Sequence, residues 1–301
     1  MLKIAYSPIY AHPLPEGHKF PMRKYELIPQ TLLERGIVCA ENFFTPRPVS
    51  EYWITRTHTP EYWEGLKTLS TPPAMVRRIG FPPSAALVER ELIITQGTID
   101  CALYALRYGV AMNVAGGTHH AFADAGEGFC LLNDMAIASN YLLDKGLAEQ
   151  ILIVDLDVHQ GNGTAAIFAN EPRVFTFSMH GARNYPFTKP SSNLDIALPD
   201  ACDDELYICL LDKALQEILT QVRPDFVFFQ SGVDVLATDK LGLLGLTQEG
   251  CHQRDFLVLE ACMNAEIPIV AVMGGGYSAD IQQIVNAHVQ TYQTAQQLFY
   301  S

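Results

Sequence analysis

Short apolar runs alternate with longer amphipathic segments along the chain. Several of the apolar runs are continuous, as in strands that a sheet buries on both faces. They predict strands at residues 4–6, 111–115, 151–156, 174–177, 226–230 and 269–273. The longer segments predict helices at residues 84–108, 133–145, 204–221, 248–265 and 279–299. This alternation predicts βαβ crossovers and an α/β fold with a mostly parallel sheet.

Composition narrows the class of protein. No repeat, low-complexity tract or linker divides the 301 residues, so we expect a single domain over residues 1–301. The chain carries 20 Lys and Arg against 33 Asp and Glu, a net charge of −13, and it has no basic run. Because affinity for a phosphate backbone comes mainly from clustered basic side chains, we expect no nucleic-acid partner.

The distribution of apolar residues and cysteines indicates the compartment. No apolar run approaches the ~20 residues that a membrane-spanning helix needs, and the N-terminus turns polar too early for a signal peptide. The seven cysteines are scattered without a C-x-x-C pair. We therefore expect a cytoplasmic protein, without a membrane partner, whose thiols are reduced and mostly buried.

Residues able to carry chemistry follow the predicted strands. They lie at 116–120, 155–159, 178–180, 232–234 and 274–277, each directly after an apolar run or at its end. Open parallel sheets bind ligands in the crevice beyond the carboxyl ends of their strands. Five dispersed segments are therefore expected to meet at one site.

Three of these residues form a candidate metal site. Asp157 and His159 are one residue apart after an apolar strand, and Asp234 has a similar setting after another strand. One imidazole and two carboxylates leave coordination positions open, which suits catalytic zinc and is also compatible with iron(II). The alternative is that these side chains only cap loops by bonding to backbone amides.

A histidine pair and a tyrosine supply candidate catalytic groups. The imidazoles of His119 and His120 can accept a proton from water and deliver it to a leaving amine. Asp155 and Asn162 are the available acceptors for fixing the tautomers of the pair. Tyr277 follows three glycines and can donate a hydrogen bond to an oxyanion. A phosphate-binding loop is the alternative for these glycines, but no phosphate-loop pattern surrounds them.

The motifs resemble a known family when they are taken in order. They are Gly-Gly-Thr-His-His (116–120), Gly-Phe-Cys-Leu-Leu-Asn-Asp (128–134), Asp-Leu-Asp-Val-His-Gln-Gly-Asn-Gly-Thr (155–164), Gly-Val-Asp (232–234), Asp-Lys-Leu-Gly (239–242) and Gly-Gly-Gly-Tyr (274–277). This set resembles the zinc-dependent histone deacetylase superfamily. His-Gln-Gly-Asn-Gly (159–163), Phe-Pro-Pro-Ser (81–84) and Asn-Tyr-Pro (184–186) are most similar to class IV deacetylases and their bacterial relatives.

The resemblance implies a fold and a set of catalytic roles. The fold is the three-layer arginase/deacetylase fold, with a mostly parallel eight-stranded sheet between helices. Zinc would be held by Asp157, His159 and Asp234. His120 would act as general base and acid, and His119 would assist it electrostatically. Asp155 would orient His119, Asn162 would orient His120, and Tyr277 would polarise the scissile carbonyl together with zinc.

The resemblance also implies a second ion and a substrate tunnel. A potassium ion would bind the Asp155 side chain, the Ser178 hydroxyl and the backbone carbonyls of Asp157, His159 and Met179. Phe129 and Tyr185 would line a tunnel for the stem of an acyl-lysine. The Gly128 carbonyl would lie near the substrate amide N–H, and Gly275 also belongs to the substrate-binding set.

Two departures from the family pattern bear on the substrate. Residues 80–84 lack the rim aspartate with which peptide deacetylases often hold the substrate backbone. An arginine near the N-terminus marks an acid-release channel in some members, and here Arg23 and Lys24 are both candidates.

The predicted function is a metal-dependent amidohydrolase that removes an acyl group, acetyl or longer, from the ε-amine of lysine in a protein or peptide. Two alternatives stay open. One is a deacetylase of a small acylated amine such as a polyamine. The other is a protein that binds acyl-lysine without turnover.

Overall fold

One parallel sheet forms the middle layer of this computed structural model, which describes residues 1–300. Its strands are β1 (Lys3–Ala5), β2 (Phe43–Phe44), β3 (Val110–Asn113), β4 (Ile151–Asp155), β5 (Val174–Gly181), β6 (Leu194–Leu198), β7 (Phe226–Gln230) and β8 (Ile269–Val272). Their order across the sheet is β2-β1-β3-β8-β7-β4-β5-β6, and each neighbouring pair is parallel. The predicted α/β fold with an eight-stranded parallel sheet between helices is confirmed.

Helices cover both faces of the sheet. They are α1 (Lys24–Glu34), α2 (Glu51–Thr55), α3 (Pro60–Lys67), α4 (Pro73–Ile79), α5 (Ala85–Tyr108), α6 (Asp134–Asp144), α7 (Asn162–Ile167), α8 (Asp204–Val222), α9 (Gln248–Asn264) and α10 (Ile281–Tyr300). The longest predicted helices match α5, α6, α8, α9 and α10 to within two residues. Ser84 and Asn133 cap α5 and α6 by accepting backbone N–H groups, so these residues precede the helices that they were predicted to begin.

Two hydrophobic cores separate the layers. In β4, Leu152 and Val154 face the core that α1, α8, α9 and α10 cover, whereas Ile151 and Ile153 face the core under α2 to α6. Alternate side chains of a strand point to opposite faces. A strand buried on both faces must therefore be apolar throughout, which explains the continuous runs in the sequence.

The predictions missed the edge strands β2 and β6, the helices α1 to α4, and α7. β2 has only two residues. β6 lies at the edge of the sheet and reads Leu-Asp-Ile-Ala-Leu, with exposed positions alternating along it. The strand predicted at 174–177 extends to Gly181, past polar residues that are nevertheless buried. These elements are short or polar, so they lack the long apolar periodicity on which the predictions relied.

The four central strands β3, β8, β7 and β4 bring their carboxyl ends together, and the motif segments follow these ends. Between residues 1 and 300, no helix is long and apolar enough to cross a membrane. All seven cysteines are free thiols, and five of them are buried, as predicted.

A buried arginine ties helix α9 to the motif loops. Arg254 is fully buried, and its Nε donates to Oδ1 of Asp255 at 2.8 Å. Its guanidinium also donates to the carbonyls of Leu156, Ser231 and Gly232, which lie just before Asp157 and Asp234 in the chain. Thr291 of α10 donates to the other oxygen of Asp255 at 2.6 Å.

Replacing Arg254 with methionine should lower the free energy of unfolding by about 3–5 kcal/mol, because Asp255 would stay buried without its cation. Chemical denaturation of R254M checks this. The control R47M changes an exposed arginine and should stay within about 0.5 kcal/mol of the wild type. A loss in R254M no larger than in R47M would contradict the assigned role.

Candidate metal centre and active site

Asp157, His159 and Asp234 meet beyond the carboxyl ends of β4 and β7. One ligand atom from each residue lies within 4.8 Å of the other two. Nδ1 of His159 is 2.9 Å from Oδ1 of Asp157 and 3.2 Å from Oδ2 of Asp234. All three side chains are buried. The residues predicted as metal ligands therefore form one cluster.

The cluster fits a divalent cation. Among the residues that the structure describes, none donates a hydrogen bond to Oδ2 of Asp234, although this oxygen is buried. A Cβ atom on Gly275 would lie 2.0 Å from the same oxygen and 2.7 Å from Oδ2 of Asp157, so this position requires glycine. Buried acceptors without a donor are costly unless a cation or proton compensates them. The oxygen and nitrogen set suits zinc or iron(II).

Backbone N–H groups fix the carboxylates. Val158 donates to Oδ1 of Asp234, and Gly275 donates to Oδ2 of Asp157, both at 2.9 Å. Burial lowers the pKa of His159, but its hydrogen bond to Asp157 and the charges of Asp157 and Asp234 raise it more, to about 10. Burial and the charge of Asp157 raise the pKa of Asp234 to about 7. Protons and a metal ion therefore compete for this cluster.

The two tandem histidines have different partners. Nδ1 of His119 lies 2.7 Å from Oδ2 of Asp155, and Nδ1 of His120 lies 2.6 Å from Oδ1 of Asn162. Burial lowers the pKa of His119, but Asp155 and Asp157 raise it overall. Burial and the imidazoles of His119 and His159 lower the pKa of His120 well below its usual range. At neutral pH, His120 is therefore uncharged.

Tyr277 lies among aromatic rings above the cluster. Its ring centroid is 6.0 Å from those of both Phe20 and Phe129, and its N–H donates to Asp239 at 2.6 Å. Burial and the charges of Asp234 and Asp157 raise the pKa of Tyr277 well above its usual range. The phenol therefore stays protonated and can donate a hydrogen bond.

Two cavities meet at these residues. An inner cavity of about 40 Å³ reaches His120, Asp157, His159, Gly275 and Tyr277. An outer cavity of about 490 Å³ opens above it and is walled by Gly128, Phe129, Tyr185 and Tyr277. The residues predicted for the substrate tunnel thus border the same space as the histidines.

The residues predicted for potassium binding are also neighbours. Asp155 and Ser178 are paired in register on β4 and β5, and both are buried. Met179 follows Ser178 and is fully buried. Oγ of Ser178 lies 3.0 Å from Nδ1 of His180.

The structure distinguishes the two candidates for the acid-release channel, Arg23 and Lys24. Arg23 is exposed, whereas Lys24 is fully buried and its Nζ donates to the carbonyl of Gly274 at 2.9 Å.

Three residues near the site were missed in the sequence. Two of them, Phe20 and Arg90, line the inner cavity. Neither belongs to a recognisable motif, so only the tertiary structure identifies them. Glu127, beside the Gly-Phe-Cys motif, was also missed, and its Oε1 accepts from Nδ2 of Asn162 at 2.6 Å.

Known proteins share both the sequence pattern and the architecture. The histone deacetylase domain model matches residues 18–292. An uncharacterised protein of Picosynechococcus sp. is 45% identical, over 98% of this chain and 99% of its own length. Histone deacetylase clr6 of Schizosaccharomyces pombe is 30% identical, over 92% of this chain and 72% of its own length.

Solved structures share the fold. The crystal structure of an HDAC homologue complexed with SAHA has a TM-score of 0.83 at 23% identity, covering 99% of this chain and 88% of the other. An HDAC homologue from Aquifex aeolicus also has a TM-score of 0.83 at 23% identity, covering 100% of this chain and 88% of its own. With the family model matched over most of its length, this chain belongs to the histone deacetylase domain family.

Proposed function

We propose that the chain forms one catalytic domain that removes acyl groups from the ε-amine of lysine, with a divalent metal held by Asp157, His159 and Asp234. Membership of the histone deacetylase domain family supports hydrolysis of lysine-like amides. The observation that carries the proposal is the buried ligand cluster beside His120 and Tyr277 at the floor of an open cavity.

The proposal includes two ion sites, one for zinc or iron(II) and one for potassium. When bound, zinc or iron(II) would supply Lewis-acid chemistry that polarises the scissile carbonyl and the attacking water. The side chains of Asp155 and Ser178 and the carbonyls of Asp157, His159 and Met179 would hold potassium, because a hard cation takes oxygen ligands.

Proton transfer is assigned to the histidine pair. Asn162 engages Nδ1 of His120, which leaves Nε2 to take a proton from the attacking water and return it to the leaving amine. Asp155 stabilises positive charge on His119, so His119 contributes favourable electrostatics near the developing oxyanion. The low pKa of His120 suits a base that begins the reaction unprotonated.

The remaining groups orient the substrate. Tyr277 would donate a hydrogen bond to the oxyanion. Phe129 and Tyr185 would flank the apolar stem of the acyl-lysine, the Gly128 carbonyl would accept its amide N–H, and Gly275 would border the acyl group. Lys24, fixed on the Gly274 carbonyl, supports the backbone next to Gly275.

The rim of the outer cavity favours a peptide over a polyamine. Arg78 and Arg183 line it together with Phe187, Leu241 and Leu243, and no carboxylate side chain among residues 1–300 does so. Both arginines are exposed, and Arg183 also pairs with Asp200. Like charges repel, so this rim opposes a polycation even though the whole chain is acidic.

The reaction itself has a direct test. The wild type should release amine from acyl-lysine peptides, lose this activity to a chelator and regain it with zinc. D157A should lose metal and fall to the chelated rate, whereas Y277F should keep metal and lose about 10²–10³-fold in kcat. Metal analysis beside initial rates measures both.

D212A alters an exposed aspartate on α8 and should match the wild type. A fully active Y277F would remove the role of Tyr277. A metal-loaded wild type that binds acyl-lysine without turnover would instead indicate the binding protein.

Metal binding should release protons. Ligation needs a neutral imidazole, and the pKa of His159 is raised to about 10, so one proton leaves at pH 8; below about 7 the proton on Asp234 leaves as well. Zinc affinity should therefore rise with pH, by about tenfold per unit near pH 8 and more steeply near pH 6. Calorimetry of chelator-stripped protein in buffers of different ionisation enthalpy measures the protons, and binding without proton release would contradict the assignment.

The charge of the residues that flank the acetyl-lysine should also affect kcat/KM. Acetyl-lysine peptides with a flanking aspartate should exceed matched peptides with a flanking lysine in kcat/KM, and R78Q should shrink this ratio about two- to fivefold. R107Q changes an exposed arginine on α5, outside the rim, and should leave the ratio unchanged. Both effects should weaken at high salt. If acetylated polyamines are the better substrates, the small-amine alternative replaces the peptide proposal.

A further inference from the structure

A buried carboxylate that the proposed mechanism does not use is linked to the general base, His120, through one intervening side chain. Glu127 is 8% exposed, and its Oε1 accepts a hydrogen bond from Nδ2 of Asn162 at 2.6 Å. Oδ1 of the same amide lies 2.6 Å from Nδ1 of His120. The three side chains thus form one continuous chain of short hydrogen bonds.

A tight turn fixes the position of Glu127. The N–H of Cys130 donates to the carbonyl of Glu127 at 2.9 Å, and the two residues between them have positive φ angles, 57° at Gly128 and 66° at Phe129. A positive φ is uncommon for an aromatic residue and persists only where the surroundings enforce it. The turn therefore holds Phe129 in the cavity wall and the Glu127 carboxylate against Asn162.

The chemistry of these hydrogen bonds permits only one orientation of the Asn162 amide. A carboxylate only accepts hydrogen bonds, so the NH₂ group of Asn162 must face Glu127. A flipped Asn162 amide would set its oxygen against the carboxylate with no proton between them. With the amide oxygen towards His120, Nδ1 of His120 must carry the proton, and the lone pair is then on Nε2.

We propose that Glu127 is a positioning residue, which fixes the amide of Asn162 and thereby keeps His120 in the tautomer that can act as a base. This inference rests on the proposed function, in which Nε2 of His120 accepts the proton. Asn162 alone would not suffice, because an amide can turn either its oxygen or its nitrogen towards an imidazole. Glu127 removes that choice.

The test exchanges carboxylate and amide between the two positions. E127Q keeps the shape but leaves the Asn162 amide free to flip, so kcat should fall about 10–100-fold with little change in KM. N162D sets two carboxylates against each other and should also lose activity. The double variant E127Q/N162D restores one carboxylate and one amide, with the carboxylate now next to His120. Its kcat should recover most of the loss.

Two outcomes would overturn the proposal: wild-type kcat in E127Q, or a double variant as impaired as the sum of the single losses. D124N changes an exposed aspartate to the amide on the same loop and should behave as the wild type. Thermal unfolding of each variant separates a loss of activity from a loss of folding.

A spectroscopic measurement distinguishes failure of this inference from failure of the proposed function. Long-range ¹H–¹⁵N spectra of histidine-labelled protein report which nitrogen of His120 carries the proton. The wild type should show protonated Nδ1, and E127Q should show a mixture of tautomers. If the wild type hydrolyses no acyl-lysine peptide, the proposed function fails, and the tautomer still decides the role of Glu127. An unchanged tautomer in E127Q would reject that role whatever the activity.

Discussion

Three carboxylates buried at the carboxyl ends of the central strands are the constraint around which this protein is organised. Asp155, Asp157 and Asp234 are each at most 3% exposed. Burying an ion costs several kcal/mol unless neighbouring groups compensate it. Here His119 and His159 provide imidazoles, and the backbone of Val158 and Gly275 provides N–H donors.

Lys24 adds a cation close to these carboxylates. Burial lowers its pKa to about 8, although the charges of Asp234 and Asp157 oppose this fall. The lysine comes from the start of α1, so the N-terminal part of the chain is part of the electrostatic design of the site. The proposed divalent cation would complete the balance, because the compensating groups leave one oxygen of Asp234 without a donor.

The sequence was informative where local patterns decide the structure. Continuous apolar runs identified the strands that the sheet buries on both faces, and motif residues directly after those runs identified the segments that meet at the site. Elements such as β2, β6 and α1 to α4 escaped prediction because they are short, lie at an edge or begin in proline-rich sequence. Phe20, Arg90 and Glu127 reach the site through tertiary folding alone, and no spacing in the sequence marks them.

The contacts of Arg254 bear on the choice of metal. Its guanidinium holds carbonyls of the loops after β4 and β7, and Arg254 itself does not line the cavity. Helix α9 therefore links the two loops that carry Asp157 and Asp234. An ion that prefers longer ligand distances would have to pull these loops apart against three hydrogen bonds, whereas a small tetrahedral ion would not. A preference for a small ion at the proposed site would thus depend on the packing of a helix that contributes no ligand.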